Sequence, residues 1–239
     1  MNRFIMLYFR LALAKRFPRL GILRRYIKAW LTHLFPLKRS YSQYGEDVHI
    51  LDLIDKFNPD RQKDIYVDIG ANHPMDLSNT YLFYRKGYRG VAIEPNRELI
   101  SLFKIFRKRD IAINAGCSDK SAVARFTISK TPVLSSFNEV DNAWKTEYIP
   151  LLPLDIILQN IEFSRIFLLS IDVEGQSIDV LKSAAKTLEK TIILIVEFNN
   201  EQEHNNVKSF LILYNFSIVQ YCGDCNLIAV NNGYTYKTI

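Results

Sequence analysis

The chain has 239 residues, of which 48% are hydrophobic and 23% are charged, and its formal net charge is +6. This length suits one domain with a short appendage, and this composition excludes a disordered, collagen-like or low-complexity protein. Three cysteines are too few for a disulfide framework.

The positive charge is concentrated at the start of the chain. Residues 1–45 contain ten basic residues and no acidic residue, whereas the remaining 194 residues carry a net charge of −4. The first apolar run stops at Arg10, so it is too short to span a membrane. A secretory signal peptide is also a poor fit, because Arg10, Lys15 and Arg16 interrupt or follow the apolar stretch. We therefore expect a cytoplasmic protein.

Residues 1–40 are predicted to form a basic, amphipathic helical arm, and residues 41–239 the main domain. Within the arm, residues 20–35 place apolar and aromatic side chains on one helical face and Arg24, Arg25 and Lys28 on the other. Such a helix suits an anionic membrane surface, so we expect peripheral association at the inner face of the membrane through residues 1–39. Packing on the domain's own core and docking to a partner remain alternatives. Nucleic acid is not expected, because the aromatic side chains lie among the aliphatic ones rather than between the cations.

After residue 45 the sequence alternates between helical and strand patterns. The predicted elements in chain order are helix 46–57, strand 65–70, helix 76–86, strand 90–94, helix 97–108, strand 111–115, an antiparallel edge segment 122–129, a loop 130–150, helix 155–160, strand 166–171, helix 177–188, strand 192–196, helix 207–214 and a hairpin of strands 217–221 and 227–230. This alternation predicts an α/β fold with a Rossmann-like, mostly parallel sheet, helices on both faces and an antiparallel C-terminal hairpin.

Four of the apolar strands end in acidic residues. These residues are Asp68, Glu94, the pair Asp172 and Glu174, and Glu197. Parallel strands place their carboxyl ends on one edge of the sheet, where ligands bind in open α/β folds, so we expect these side chains at one site. The alternative is that each acid only caps the helix that follows its strand.

The loop after the first strand reads DIGANHP over residues 68–74 and lacks the G-x-G-x-x-G spacing. A bound pyrophosphate needs bare backbone amides at close approach, and Pro74 removes one such donor, which argues against NAD, FAD and P-loop nucleotide sites. The loop suits a ligand with a sugar and a base but no phosphate at this point. Glu94 follows Gly70 by about 25 residues, a position from which an acid accepts hydrogen bonds from ribose hydroxyls.

Several short motifs occur in a specific order over about residues 41–200. They are SQYGED (42–47), VDIGAN (67–72), SNTY (78–81), GYRG (87–90), IEPN (93–96), LD (154–155), IDVEG (171–175) and VL (180–181). This ordered set resembles the FkbM family of S-adenosylmethionine-dependent methyltransferases. Two positions depart from the family pattern: His73-Pro74 stands where many members carry a small acidic or polar residue and glycine, and Ser170 stands where a lysine is common.

The resemblance implies a class I methyltransferase fold, with S-adenosylmethionine as the cofactor. The residues it places along the cofactor, from methionine through ribose to adenine, are Asp68, Gly70 and Asn72, then Glu94, then Cys117, Ser118 and Asp119. Asp172 and Glu174 would face the reacting atoms. The family's typical reaction is methyl transfer to a hydroxyl of a sugar or secondary metabolite, so the acceptor is expected to be a small molecule or a glycan.

An alcohol acceptor must lose its proton as the new bond forms, and a carboxylate in a partly dry cleft can accept that proton. Asp172 and Glu174 are two residues apart, so an extended backbone places both side chains on one side, and their like charges raise the pKa of one of them. We favour Asp172 as the general base; Glu174 and a purely structural role for both remain alternatives. Together with Glu197 they could instead hold a divalent cation, but no ligand spacing demands one, so no metal is predicted.

Two other classes of function are weighed against this one. A Rossmann-like nicotinamide-dependent oxidoreductase is opposed by the missing glycines, and a non-enzymatic membrane-associated binding module would explain the arm but not the acidic strand ends. The loop at 131–150, with Phe137, Trp144 and Tyr148, is expected to help form the acceptor pocket.

Overall fold

The computed structural model describes residues 39–129, 137 and 143–234. Residues 1–38, which make up nearly all of the predicted arm, lie outside the described residues. Among the described helices, none has the length and apolar character needed to cross a membrane.

The described residues form seven helices and ten strands. The helices are α1 (Glu46–Phe57), α2 (Tyr81–Arg85), α3 (Arg97–Phe106), α4 (Leu154–Leu158), α5 (Ser177–Lys182), α6 (Ala185–Glu189) and α7 (Glu201–Leu213). The strands are β1 (Ile65–Ile69), β2 (Gly90–Ile93), β3 (Ile111–Ile113), β4 (Gly116–Cys117), β5 (Ala122–Ser129), β6 (Ala143–Leu152), β7 (Ile166–Ile171), β8 (Thr191–Glu197), β9 (Phe216–Cys222) and β10 (Asn226–Asn231).

The main sheet has seven strands in the order β3-β2-β1-β7-β8-β10-β9. The first five strands in this order are parallel, whereas β10 runs antiparallel to both β8 and β9. The predicted Rossmann-like sheet with an antiparallel C-terminal hairpin is thus confirmed. The parallel strands β1, β2 and β7 are buried from end to end, which explains their largely apolar sequences, whereas β3 at the edge of the sheet is partly exposed.

Helices cover both faces of the main sheet. Val67 and Ile69 of β1 belong to a core cluster shared with residues of α4, α5, α6 and α7, whereas Tyr66 packs with residues of α1 and α2 on the other face. Because side chains alternate along a strand, Asp68 shares the face of Tyr66. This alternation decides which strand-end acids reach the site.

A second, three-stranded sheet has the order β4-β6-β5, with β5 and β6 antiparallel. The prediction of an antiparallel segment at 122–129 is confirmed, but the predicted loop 130–150 is wrong for residues 143–150, which belong to β6. Pro150 suggests a break in the sequence, yet β6 tolerates it, because β4 pairs only with Leu151 and Leu152 and leaves that side of Pro150 without a partner strand.

Two predicted helices are shorter or divided. Residues 76–80 form a loop, in which the Ser78 hydroxyl accepts from the Thr80 and Tyr81 amides, a local pattern that competes with helix formation. The predicted helix 177–188 divides into α5 and α6 around Ser183, whose hydroxyl donates to the Val180 carbonyl (2.6 Å) and accepts from the Leu154 amide (3.1 Å). Conversely, α7 begins six residues before its predicted start at Val207, because Asn200 caps it by accepting from the Glu203 amide.

Candidate active site

A cleft opens where the carboxyl ends of β1, β2 and β7 meet. It encloses about 750 Å³, counted to its open mouth. Five of the residues predicted from the sequence line it together: Gly70, Asn72, Glu94, Asp172 and Glu174. The strand ends therefore converge as the topology of a parallel sheet requires.

Gly70 forms the tight turn that leads from β1 into the cleft. Its backbone has a left-handed φ of 73°, and a Cβ atom there would lie 1.7 Å from the carbonyl oxygen of Asp172. The amide of Asp172 in turn donates to the carbonyl of Ile69 (3.0 Å). Glycine is therefore required, because any side chain would separate the ends of β1 and β7.

Glu94 is almost fully buried at the end of β2 and is positioned by two backbone amides. One carboxylate oxygen accepts from the amide of Asn72 (2.9 Å) and the other from the amide of Asn96 (2.7 Å). A carboxylate offers about four acceptor positions, so about two remain for hydroxyl groups in the cleft. Burial raises the pKa of Glu94 to about 7, although both amide hydrogen bonds lower it.

The side of the cleft beyond Glu94 is apolar. Leu99, Cys117, Phe126 and Phe137 line it, and the rings of Phe126 and Phe137 lie 4.8 Å apart. Burial raises the pKa of the Cys117 thiol to about 12, so this thiol is neutral and serves as an apolar wall rather than a nucleophile. An acid able to hold a diol next to an apolar, aromatic slot fits the ribose and adenine of S-adenosylmethionine.

Three carboxylates meet at the end of the cleft formed by β7 and β8. Oxygen atoms of Asp172, Glu174 and Glu197 all lie within 4.8 Å of one another. Burial, and then the neighbouring Glu197 and Glu174, raise the pKa of Asp172 well above its usual value. Carboxylates this close to one another repel, and this repulsion favours the protonated form of Asp172. Oxygen ligands in this arrangement could also accommodate a divalent cation.

The backbone after β7 turns sharply to present Glu174. Glu174 has a φ of 48° and Gly175 a φ of 86°, so two consecutive residues are left-handed. A non-glycine residue in this region is strained, and such strain is concentrated at functional sites. Burial and the charge of Glu197 raise the pKa of Glu174, and a hydrogen bond with the Asn199 side chain opposes the shift.

Three predicted site residues do not line the cleft. The side chain of Asp68 lies on the other face of β1, where it accepts a 2.5 Å hydrogen bond from the Thr80 hydroxyl. Ser118 and Asp119 follow β4 towards solvent, where their side chains contact each other at 3.5 Å, and Cys117 is the member of that segment that reaches the cleft.

Other residues of the cleft were not predicted as site residues. Gln176 and Val173 belong to the turn after β7, and Phe126 comes from the second sheet. Glu197 was predicted to lie at the site because it ends an apolar strand. The sequence did not predict that it lies next to the proposed general base, Asp172. Tyr44, within the SQYGED motif, lies near the same cluster: its ring is next to Gly223 in the turn between β9 and β10, and Cys225 of this turn accepts from the amide of Phe198, which follows Glu197.

Comparison with known proteins agrees with this geometry. Residues 68–224 match the family described as Methyltransferase FkbM domain. No curated protein matches the chain. Solved structures with a similar fold include a protein described as an rRNA methylase from Clostridium thermocellum, with 11% identity, a TM-score of 0.45 and coverage of 75% of this chain and 91% of that one.

Two further structures show similar levels of likeness. A protein described as an O-methyltransferase from Klebsiella pneumoniae has 10% identity, a TM-score of 0.46 and coverage of 89% of this chain and 88% of that one. The N-terminal domain of human METTL16 has 11% identity, a TM-score of 0.47 and coverage of 80% and 69%. Likenesses at this level say nothing of the reaction or the acceptor. The family match, which spans most of the chain and includes both the Gly70 turn and the IDVEG motif, shows that the chain belongs to the FkbM methyltransferase family, whose members take their methyl group from S-adenosylmethionine.

Proposed function

We propose that this methyltransferase is an O-methyltransferase that acts on a hydroxyl group of a sugar, a glycan or a secondary metabolite. The observation that carries the proposal is that Asp172 lies in the same cleft as Gly70, Asn72 and Glu94 and has a raised pKa. A hydroxyl acceptor, unlike a neutral amine, needs a base at the moment of transfer, because its oxygen becomes an oxonium centre unless the proton leaves.

Gly70, Asn72 and Glu94 are the residues proposed to hold the cofactor. The Glu94 carboxylate would accept hydrogen bonds from the two ribose hydroxyls, while the Gly70 turn would leave room for the methionine portion. The adenine would lie against Leu99, Cys117 and the pair of Phe126, from the second sheet, and Phe137, from the segment between β5 and β6. When bound, S-adenosylmethionine supplies an activated methyl group, and the protein aligns the acceptor oxygen with it, an effect that can lower the barrier by roughly 7–11 kcal/mol.

Asp172 is proposed as the general base, with Glu174 as the alternative. The closeness of the Asp172, Glu174 and Glu197 oxygens, which all lie within 4.8 Å of one another, supports this choice, because burial and the neighbouring negative charges raise the pKa of Asp172 and so make it a stronger base. Such a base contributes typically about 10²–10⁴-fold to the rate. Asp68 is proposed to act away from the reacting atoms, and Ser118 and Asp119 remain predicted residues at the adenine end, next to Cys117, which lines the cleft.

Aromatic side chains near the carboxylates support a sugar-like acceptor. Tyr44 is 48% exposed, and its ring lies so close to Gly223 that a Cβ atom there would be 2.7 Å away. Aromatic faces of this kind pack against the apolar face of a sugar ring. On the predicted acceptor loop, Phe137 lines the cleft, whereas Tyr148 is 76% exposed on β6 and is not among the residues lining the cleft.

A methyl-transfer screen tests the acceptor class. Full-length protein is incubated with methyl-deuterated S-adenosylmethionine and with soluble glycans, lipid-linked glycans, small phenols and RNA, and products are identified by mass spectrometry. Labelling of a glycan or metabolite hydroxyl is expected. Labelling of RNA alone would overturn both the acceptor proposal and the expectation that no nucleic acid is bound.

The division of the chain is part of the same proposal. Residues 41–239 are proposed as the methyltransferase domain and residues 1–40 as an arm that brings it to an anionic membrane surface from the cytoplasmic side. The support is the sequence of the arm, with ten basic residues and no acidic residue before Glu46.

A further inference from the structure

Arg107 is an unusual core residue. It follows α3 and has 0% exposure, and its guanidinium lies 4.9–5.3 Å from the rings of Tyr66, Tyr84 and Phe103. Its Nε atom donates to the carboxylate of Asp110 at 2.6 Å. Burying a guanidinium is costly unless its charge is paired and its donors are used, so each of its contacts matters.

The remaining donors of Arg107 hold the loop between β1 and α2. Both terminal nitrogens lie 3.0 Å from the hydroxyl of Thr80, and Nη1 also donates to the carbonyl of Pro74 at 3.3 Å. The Thr80 hydroxyl then donates to Asp68 at 2.5 Å. One buried cation thus connects the end of β1 with the first and last parts of this loop.

This loop is the one that carries Asn72 into the cleft. Residues 71–80 contain no regular secondary structure, and Asn72 itself has a left-handed φ of 48°. At one end the Asn72 amide donates to Glu94, and in the middle His73 Nδ1 accepts from the amides of Met75 and Asp76. Arg107 and Thr80 fix the other end, on the face of the sheet opposite the cleft.

We infer that Arg107 is a positioning residue for S-adenosylmethionine binding, and that with Thr80 and Asp68 it fixes from behind the loop whose Asn72 faces the cofactor. The inference rests on the proposed cofactor site at Gly70, Asn72 and Glu94. It also gives Asp68 a role, since its carboxylate holds Thr80 rather than contacting the cofactor. Burial raises the pKa of Asp68 and Arg107 opposes the shift, as expected of an acid paired in the core.

Calorimetry with S-adenosylhomocysteine tests the inference in the full-length protein. Thr80→Val removes the hydroxyl but keeps the side-chain shape, and Thr80→Ser keeps the hydroxyl. Thr80→Val is expected to raise the Kd by about tenfold, and Thr80→Ser to restore it to within about threefold of the wild type. Arg107→Lys keeps the charge but not the fork of donors, so it is expected to weaken binding in the same direction.

A second ion pair, in which Asp64 is buried and the Arg165 side chain is 33% exposed, provides a control away from the cleft. Arg165 is paired with Asp64 at 2.5 Å, and both residues immediately precede strands at the opposite edge of the sheet from the cleft. Arg165→Lys should lower the urea midpoint of unfolding without changing the Kd. If this variant weakens binding as much as Thr80→Val does, the effect is general destabilisation and the inference is wrong.

The positioning role of Arg107 can be refuted independently of the proposed cofactor site. If Glu94→Gln leaves the affinity for S-adenosylhomocysteine unchanged, the proposed cofactor site is wrong and the inference falls with it. If Glu94→Gln weakens binding but Thr80→Val does not, the site stands and the positioning role of the network is refuted. Should Arg107→Lys fail to fold, the two Thr80 variants still decide the question.

Discussion

Replacing Glu94 by glutamine tests the cofactor site through both affinity and stability. The carboxylate accepts one amide on each oxygen, from Asn72 and Asn96. Glutamine has one acceptor oxygen, so one of these amides would face an NH₂ group instead. The variant would lose charge-assisted hydrogen bonds to the ribose and leave one amide unsatisfied. The binding free energy should therefore weaken by about 2–3 kcal/mol, which raises the Kd roughly 30- to 150-fold.

The pH dependence of S-adenosylhomocysteine binding by the wild type tests the same site independently. Burial raises the pKa of Glu94 from 4.5 to about 7, so in the free protein the carboxyl is protonated below that pH. Only the ionised form accepts from both ribose hydroxyls, so the Kd for S-adenosylhomocysteine should rise roughly tenfold from pH 8 to pH 6. In Glu94→Gln this dependence should disappear.

Stability should change with pH in the opposite direction. Between about pH 4.5 and 7 the folded protein holds a proton on Glu94 that the unfolded chain has released. The free energy of unfolding without cofactor therefore falls as the pH rises through this range, by at most about 3 kcal/mol from this group. Calorimetry at pH 6, 7 and 8 measures the trend in affinity, and urea unfolding at about pH 5, 6 and 7 measures the trend in stability. If the affinity of the wild type for S-adenosylhomocysteine is the same at pH 6 and at pH 8, Glu94 does not bind the ribose as proposed.

Four further predictions concern the base, the turn, metal and the arm. Asp172→Asn should lower kcat by about 10²–10⁴-fold, with the Kd for S-adenosylhomocysteine nearly unchanged, and a variant with normal turnover would exclude this residue as the base. Gly70→Ala should reduce the free energy of unfolding by about 2–5 kcal/mol, because its Cβ would overlap the Asp172 carbonyl in a left-handed conformation, and urea unfolding checks this. Dialysis against EDTA should leave turnover unchanged; a loss that Mg²⁺ restores would instead favour a cation at the three carboxylates. Replacing Arg24, Arg25 and Lys28 by glutamate in the full chain should abolish flotation with phosphatidylglycerol vesicles, and equal flotation would count against membrane association through the arm.

The fold was predictable because its parallel strands are buried on both faces. Residues 192–196 are apolar throughout and residues 166–171 are apolar except for Ser170, and the acidic residues that follow these runs identify the edge of the sheet that carries the site. The second sheet was not predictable in the same way. Its strand β6 contains Pro150 and the consecutive exposed residues Lys145 and Thr146, so its sequence shows no strand pattern and its pairing with β5 is not visible there.

The position of the Asp68 side chain could not be predicted from the sequence motif alone. The motif places it next to Gly70, but the position of its side chain depends on strand alternation, which sends it to the face of Tyr66. The partners found there, Thr80 and Arg107, are 12 and 39 residues away in sequence, and no local pattern connects them to the cofactor loop. For Glu197 the position at a strand end could be predicted from the sequence. Its closeness to Asp172 could not, because it depends on the register in which β7 and β8 pair.

The central claim is that the cleft transfers a methyl group to oxygen with Asp172 as the base. The most direct measurement determines, by NMR and mass spectrometry, which atom of the product carries a deuterated methyl group supplied by S-adenosylmethionine. Wild-type protein should give a methyl ether on a hydroxyl oxygen, and Asp172→Asn, while still binding S-adenosylhomocysteine, should give almost none. Methylation at nitrogen or carbon, or equal product from both proteins, would contradict the account.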